Sequence, residues 1–206
     1  MPTRALDPLR LDVASFGAEA SVLEGAFGIA ELPRLAASEC SPDEGVTDRA
    51  GDLVAWPVGP GAPERRVEWR IEGAQVPAAG ALPETWLGLG ARATALLACQ
   101  RCLRPVAWPV EVDRRFRFVA GEEAAARLDE EIEDEVLALQ PALDLRALLE
   151  DEMLLALPLV PRHDHCPEPL ARSYGEDELD EAAEHPFAKL ALLRKDDEGD
   201  GGPDIL

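Results

Sequence analysis

The chain has 206 residues, 47% of them hydrophobic, 5% aromatic and 30% charged, which is enough apolar material for one sizeable core, so a single domain with tails is expected. Its 41 acids against 20 bases give a net charge of −21, excluding a generic DNA-coating protein or an anionic-lipid binder, both of which need surplus Lys and Arg. No apolar run approaches the roughly 20 residues of a membrane span, the opening MPTRALDPLRLDV lacks the apolar stretch of a secretory signal, and four cysteines are too few for a disulfide framework; a cytoplasmic protein is predicted.

The charge is uneven along the chain. Residues 1–120 hold 16 acids and 13 bases, whereas residues 121–206 hold 25 acids and 7 bases, so the acidity belongs to the rear. Eight of the ten aromatic residues precede position 120, which places the bulky core side chains in the front part. No repeat of solenoid period is present. A short helix is expected near 31–38, and the polar, turn-rich stretch 38–52 reads as a loop leading into a sheet.

From 53 to 119 the apolar residues recur with period two. Val54, Trp56 and Val58 read as a first strand, and Val67, Trp69 and Ile71, alternating with Arg66, Glu68, Arg70 and Glu72, as a second. The odd positions Leu87, Leu89, Ala91, Ala93, Ala95, Leu97 and Cys99 are then apolar; after CQRCLRP the even positions Val106, Trp108, Val110, Val112, Phe116 and Phe118 take over. This is the pattern of two long half-buried arms joined at a CQRC tip. Neighbouring strands without helical crossovers favour antiparallel pairing.

Asp144 is placed to cap a helix over LRALLEDEMLLAL, and Pro158 with Pro161 forces an extended exit. The predicted fold is therefore α+β: an antiparallel, mostly β meander or partial barrel covered by one amphipathic helix, with short terminal helices. Residues 1–163 are expected to form one folded domain and 164–206 an acidic tail, in which Pro186 opens a short helix carrying Phe187, Leu190 and Leu193 on one stripe. On the main helix Leu145, Leu148, Leu149, Leu155 and Ala156 share one arc with Glu152. The Glu152 head is expected at the margin of the interface, in solvent or on an arginine; a buried pair with Arg114, the polar residue on the apolar face of its strand, is the alternative.

Cys99-x-x-Cys102 admits three accounts. A thioredoxin-like redox pair needs its first cysteine at a helix N-terminus, and here alternating strand residues follow the motif. A zinc site needs further ligands, and His163-Asp164-His165-Cys166 is the other suitable cluster. Cys99, Cys102, His163 and Cys166 would make a closed Cys₃His structural site that ties the hairpin tip to the chain leaving the helix; free thiols beside a polar loop are the plain alternative. The third account takes Arg101, Arg104, Arg115 and Arg117 as an RNA contact. Because Arg104 and Arg115 lie roughly 36 Å apart along a straight strand, an ordinary solvated strand face is the expected reading. No GxSxG, HExxH or GxxxxGK[ST] motif occurs and there are three histidines, so neither an enzyme nor a small-molecule substrate is predicted. The acidic runs 129–135 and 176–184 lack the spacing of a calcium loop and read as solvated or disordered segments.

The stretches LLACQRCLRPV (96–106), LDLRALLEDEMLLALPLVPRHDHC (143–166) and HPFAKLALLRK (185–195), with an N-terminal part that also looks similar, resemble the YceD family of bacterial large ribosomal RNA subunit accumulation proteins. The resemblance implies a role in synthesis, processing or stability of 23S ribosomal RNA, hence in ribosome biogenesis, with no established catalytic activity. Some relatives carry a second cysteine pair where this chain has His163 and Cys166, so a four-thiolate zinc site does not transfer. At −21 the chain approaches RNA against repulsion, so contact with the 23S precursor is expected to be indirect. The acidic segments then engage a basic ribosomal protein or a processing enzyme. Direct RNA binding through the four arginines and a CxxC thiol oxidoreductase are the competing readings.

Overall fold

In the computed structural model the described residues are 6–42, 45–59, 62–78 and 82–167; the acidic run 176–184 and the expected helix at Pro186 lie outside them. Four helices, α1 (Val13–Ala18), α2 (Pro33–Ser38), α3 (Glu122–Asp129) and α4 (Leu145–Leu155), accompany five strands, β1 (Val22–Gly28), β2 (Arg66–Val76), β3 (Glu84–Ala98), β4 (Pro105–Val119) and β5 (Glu135–Ala138). The sheet is open, not a closed barrel, with the strands in sequence order β1-β2-β3-β4-β5. Its first three pairings are antiparallel, while β5 pairs in parallel with β4. The expected meander thus holds for four strands and fails at the fifth. There α3 supplies the crossover that a parallel neighbour requires.

The β3–β4 hairpin runs from Thr85 opposite Phe118 to Ala98 opposite Pro105. This register puts the odd positions of β3 and the even positions of β4 on one face, as their alternation requires. Leu87, Leu89, Leu97, Val106, Val110 and Phe116 are buried there, under α1, α2 and α4. On the other face of β2 and β3, charges meet in exposed pairs: Arg92 with Glu68 at 2.6 Å, and Arg70 with Glu72 at 2.8 Å and Glu24 at 3.3 Å. Such pairs contribute little each and keep that face wet. Close approach explains two glycines. A Cβ at Gly25 would lie 2.7 Å from the Trp69 ring, which stacks on Phe27, and one at Gly73 would lie 2.5 Å from the Phe16 carbonyl of α1.

Residues 53–58 do not form the strand their alternation predicts. They make one bridge, Thr47 to Leu53, and the loop lies across the back of the hairpin tip, where Val54 and Trp56 pack on Val46, Leu96 and Ala107. Period two arises here from packing on a sheet, not from pairing within one. The acidic run 129–135 is solvated as expected but ordered: Asp129 ends α3, and Glu135 opens β5.

Helix α4 is capped as predicted, the Asp144 carboxylate accepting from the Arg146 and Ala147 amides. Its buried face is rotated from the expected arc, with Met153 in the core and Leu155 72% exposed. Glu152 stays inside the buried face despite the rotation, and its carboxylate lies 3.4 Å from Arg114 Nε. The buried-pair alternative is realised in place of the margin expectation, although Arg114 itself stays half exposed and also reaches Glu135 at 3.5 Å. The preceding two acids hold α2. Glu150, buried, accepts the Arg34 amide at 2.7 Å, the Leu35 amide at 3.1 Å and the Arg34 guanidinium at 3.0 Å, while Asp151 pairs with the same guanidinium. Glu150 and Asp151 therefore fasten α4 to α2, while Glu152 faces Arg114 of β4 with its Oε2 making no hydrogen bond.

Candidate metal centre

Between β3 and β4 the chain makes a knuckle over residues 99–104. The Cys99 amide donates to the Arg104 carbonyl at 3.0 Å, and the Leu103 amide donates to the Cys99 carbonyl at 2.8 Å. Closing that turn puts Leu103 at φ +61°, in the left-handed region that costs a residue with a Cβ about 1–2 kcal/mol. Its side chain is 73% exposed, so Leu103→Gly loses no packing. We expect this variant to be more stable by roughly 0.5–1 kcal/mol, less than the full strain because glycine gives up more backbone entropy, read as a higher urea midpoint.

The chain leaving α4 returns to this knuckle. Gln100 N–H donates to the Pro161 carbonyl at 2.8 Å, Arg101 Nη2 donates to the His163 carbonyl at 2.5 Å, and Asp164 N–H donates to the Arg49 carbonyl at 2.6 Å. The result brings Cys99, Cys102, His163 and Cys166 together, with their ligand atoms all within 4.8 Å of one another. A tetrahedral zinc with Zn–S bonds of about 2.3 Å sets its sulfurs about 3.8 Å apart, so a closing movement of about 1 Å forms the complete shell. Four protein ligands leave no open position for substrate, which fits a structural centre and not a catalytic one.

His163 is 1% exposed and oriented at both nitrogens. Nε2 lies 2.8 Å from Thr47 Oγ1, and Nδ1 lies 3.4 Å from Cys102 Sγ. A neutral imidazole donating Nε2–H to Thr47 leaves the Nδ1 lone pair aimed at the sulfurs, the outer-shell arrangement typical of metal-bound histidine. Thr47 is in turn fixed by β4, its carbonyl accepting the Ala107 amide at 2.8 Å.

The two knuckle thiols differ. Burial pushes Cys99 up, but N–H groups of Cys102, His163 and Arg101, with the Cys102 thiol, draw it down to about 6. Burial pushes Cys102 up to about 11, opposed by the Arg104 amide and reinforced by Cys99 and Cys166. A turn lined with amides thus supplies the thiolate stabilisation that a redox pair takes from a helix. Cys99 is nevertheless completely buried, out of reach of a disulfide on another protein.

The four arginines considered for RNA separate. Arg101 is at the tip, bound to backbone carbonyls, and Arg104 is in the same knuckle. Arg115 lies over the Trp86 ring at 4.8 Å, and Arg117 pairs with Glu84 at 2.7 Å, both near the opposite end of the hairpin.

A family model described as large ribosomal RNA subunit accumulation protein YceD matches residues 87–194. The chain belongs to the YceD family. The YceD match takes in most of β3, then β4, α3, β5 and α4, with all four candidate ligands; α1, β1, α2 and β2 precede it. A Haemophilus influenzae protein of the same description is 35% identical over 103 residues, covering 48% of this chain and 59% of that relative, so the chain spans under two thirds of that relative's length. No solved structure matches. Thr47 lies outside the YceD match and escapes sequence reading altogether, being one polar residue in a loop whose neighbours reveal nothing of the histidine it meets 116 positions later.

Proposed function

We propose that this chain is a non-enzymatic factor in accumulation of the large-subunit ribosomal RNA, acting in ribosome biogenesis in the cytoplasm as a protein adaptor whose hairpin tip is held by structural zinc. The observation that carries the role is the YceD match over the hairpin, α4 and the four ligands. In this reading Cys99, Cys102, His163 and Cys166 hold the metal, which supplies a cross-link between the tip and the chain beyond α4. The acidic rear, with 25 acids against 7 bases, is suited to a basic ribosomal protein or a processing enzyme, through an attraction that weakens as salt rises. Synthesis, processing and stability of 23S ribosomal RNA are the steps at which such an adaptor acts.

Depletion of the protein should lower 23S relative to 16S ribosomal RNA, and normal 23S levels would refute the role. Pull-down of the tagged chain before and after ribonuclease tests the adaptor: protein partners should survive digestion. Neutralising acids within 129–135 or 176–184 should weaken capture of pre-ribosomal particles several-fold at physiological salt; undiminished capture would reject acidic docking.

A further inference from the structure

Beside the metal centre is a pocket of about 310 Å³ whose lining includes Arg49, Arg101, Arg162, Trp108 and Asp164. Three guanidiniums face one carboxylate there, in a chain whose overall charge is −21. The guanidiniums come from three separate segments, the loop on the back of the tip, the CQRC knuckle and the chain leaving α4, and Trp108 from β4. All are fixed by the contacts that assemble the ligand cluster, since Arg101 sits between Cys99 and Cys102 and Arg162 precedes His163.

The guanidiniums are positioned and incompletely used. Arg49 lies on the Trp108 ring, 4.5 Å from its centroid, and only 3.6 Å from Asp164, a long ion pair. Arg101 directs one nitrogen at the His163 and Asp164 carbonyls, which leaves other N–H groups of its five. Arg162 is exposed and has no hydrogen-bond or ion-pair partner among the described residues. Planar forks of donors converging on one space match the oxygens of a phosphate group. At about 30 Å³ per water the pocket has the volume of roughly ten waters, room for a phosphate and part of its hydration.

We propose that this pocket binds a backbone phosphate of single-stranded RNA, giving the protein a local RNA contact in spite of its net charge. The proposal rests on the ribosomal RNA role, which makes RNA rather than a free anion the source of the phosphate. It differs from the arginine set expected from sequence: Arg101 is retained, Arg49 and Arg162 join it, and Arg115 and Arg117 belong elsewhere. Trp108, its face occupied by Arg49, holds a cation in place and is not needed as a platform for a base.

The test is fluorescence anisotropy of a labelled 12-nucleotide single-stranded RNA with the full-length, zinc-loaded chain over a range of salt. Wild type should bind, and the double variant R49A/R162A should bind at least tenfold more weakly. Its slope of log affinity against log salt should fall by about 0.7, the contribution of one lost phosphate contact to a single strand. R92A, on the remote sheet face, should leave binding unchanged, and circular dichroism with zinc content should show the double variant folded. Inorganic phosphate should compete only weakly, and polyglutamate should not compete. The proposal is overturned if wild type does not bind the RNA, if the double variant binds as wild type does, if inorganic phosphate fills the pocket without RNA binding, or if polyglutamate displaces the RNA as well as unlabelled RNA does. Normal 23S levels on depletion would instead refute the cellular role while leaving a measured pocket intact, so the two failures are distinguishable.

Discussion

Cys99→Ser should abolish stoichiometric zinc binding and cost the protein about 4 kcal/mol, the stabilisation that a ligand supplies when free in thousandfold excess over its dissociation constant. Cys99 is the natural choice because its sulfur is fully buried and amide-bonded, so serine introduces an oxygen with poor affinity for zinc at the best-organised corner of the shell. The measurement is urea unfolding of three samples: zinc-loaded wild type, chelator-treated wild type and the variant. The last two should coincide and lie below the first. Cys40→Ser, changing the cysteine outside the cluster, should retain one equivalent of metal. Wild-type protein purified without added zinc that holds well under half an equivalent, or unfolding indifferent to chelator, would eliminate the staple.

Glu150→Ala should cost about 3 kcal/mol, because it strips a buried carboxylate from two amides and a guanidinium at once. Glu152→Gln, two residues on, should stay within about 1 kcal/mol of wild type at pH 7. The difference follows from the surroundings. Burial pushes the Glu150 carboxyl up, but the Leu35 amide, the Arg34 guanidinium and the Arg34 amide outweigh it, leaving its pKa below the ordinary value. Glu152 is pushed above the ordinary value by burial and by Glu135, against the opposing pull of Arg114. The signs are therefore opposite. Stability from Glu150 is present above the unfolded pKa and is lost as pH falls through the folded one. That associated with Glu152 is greatest below the unfolded pKa and is lost as pH rises through the folded one. Stability measured from pH 3 to 7 should show a shallower acid limb for Glu150→Ala. In Glu152→Gln the loss on the rising side should disappear; an equal penalty for both variants at pH 7 would contradict this account.

What could be read in advance follows from how far each segment determines itself. The β3–β4 arms were legible because their alternation is long and changes parity at CQRC, which only a turn there can reconcile with a single core face. Helix α4 was legible from its cap and its closing prolines, and the clustering of Cys99, Cys102, His163 and Cys166 from two spacings of three. Strand β1 was not: Gly25, Ala26 and Gly28 carry no strand signal of their own, and the segment is specified by the Trp69 ring that a larger side chain at 25 would strike. Strand β5 has one buried residue, Val136, within an acidic surrounding, too little for periodicity to register. The rotation of α4 depended on contacts with α2 and Arg114 that lie more than 30 positions away in sequence. The arginine pocket combines three such distant segments, so its members look in sequence like isolated surface charges.

The two halves of the ligand cluster are 61 residues apart, counted from Cys102 to His163. The second arm is complete only at Val119, 44 residues before His163; at a translation rate of about 5–20 residues per second, a nascent chain spends roughly 2–9 s with both long arms made but without the histidine and cysteine that close their tip. The hairpin can pair early, yet its end stays an unfinished dithiol until synthesis has passed α4.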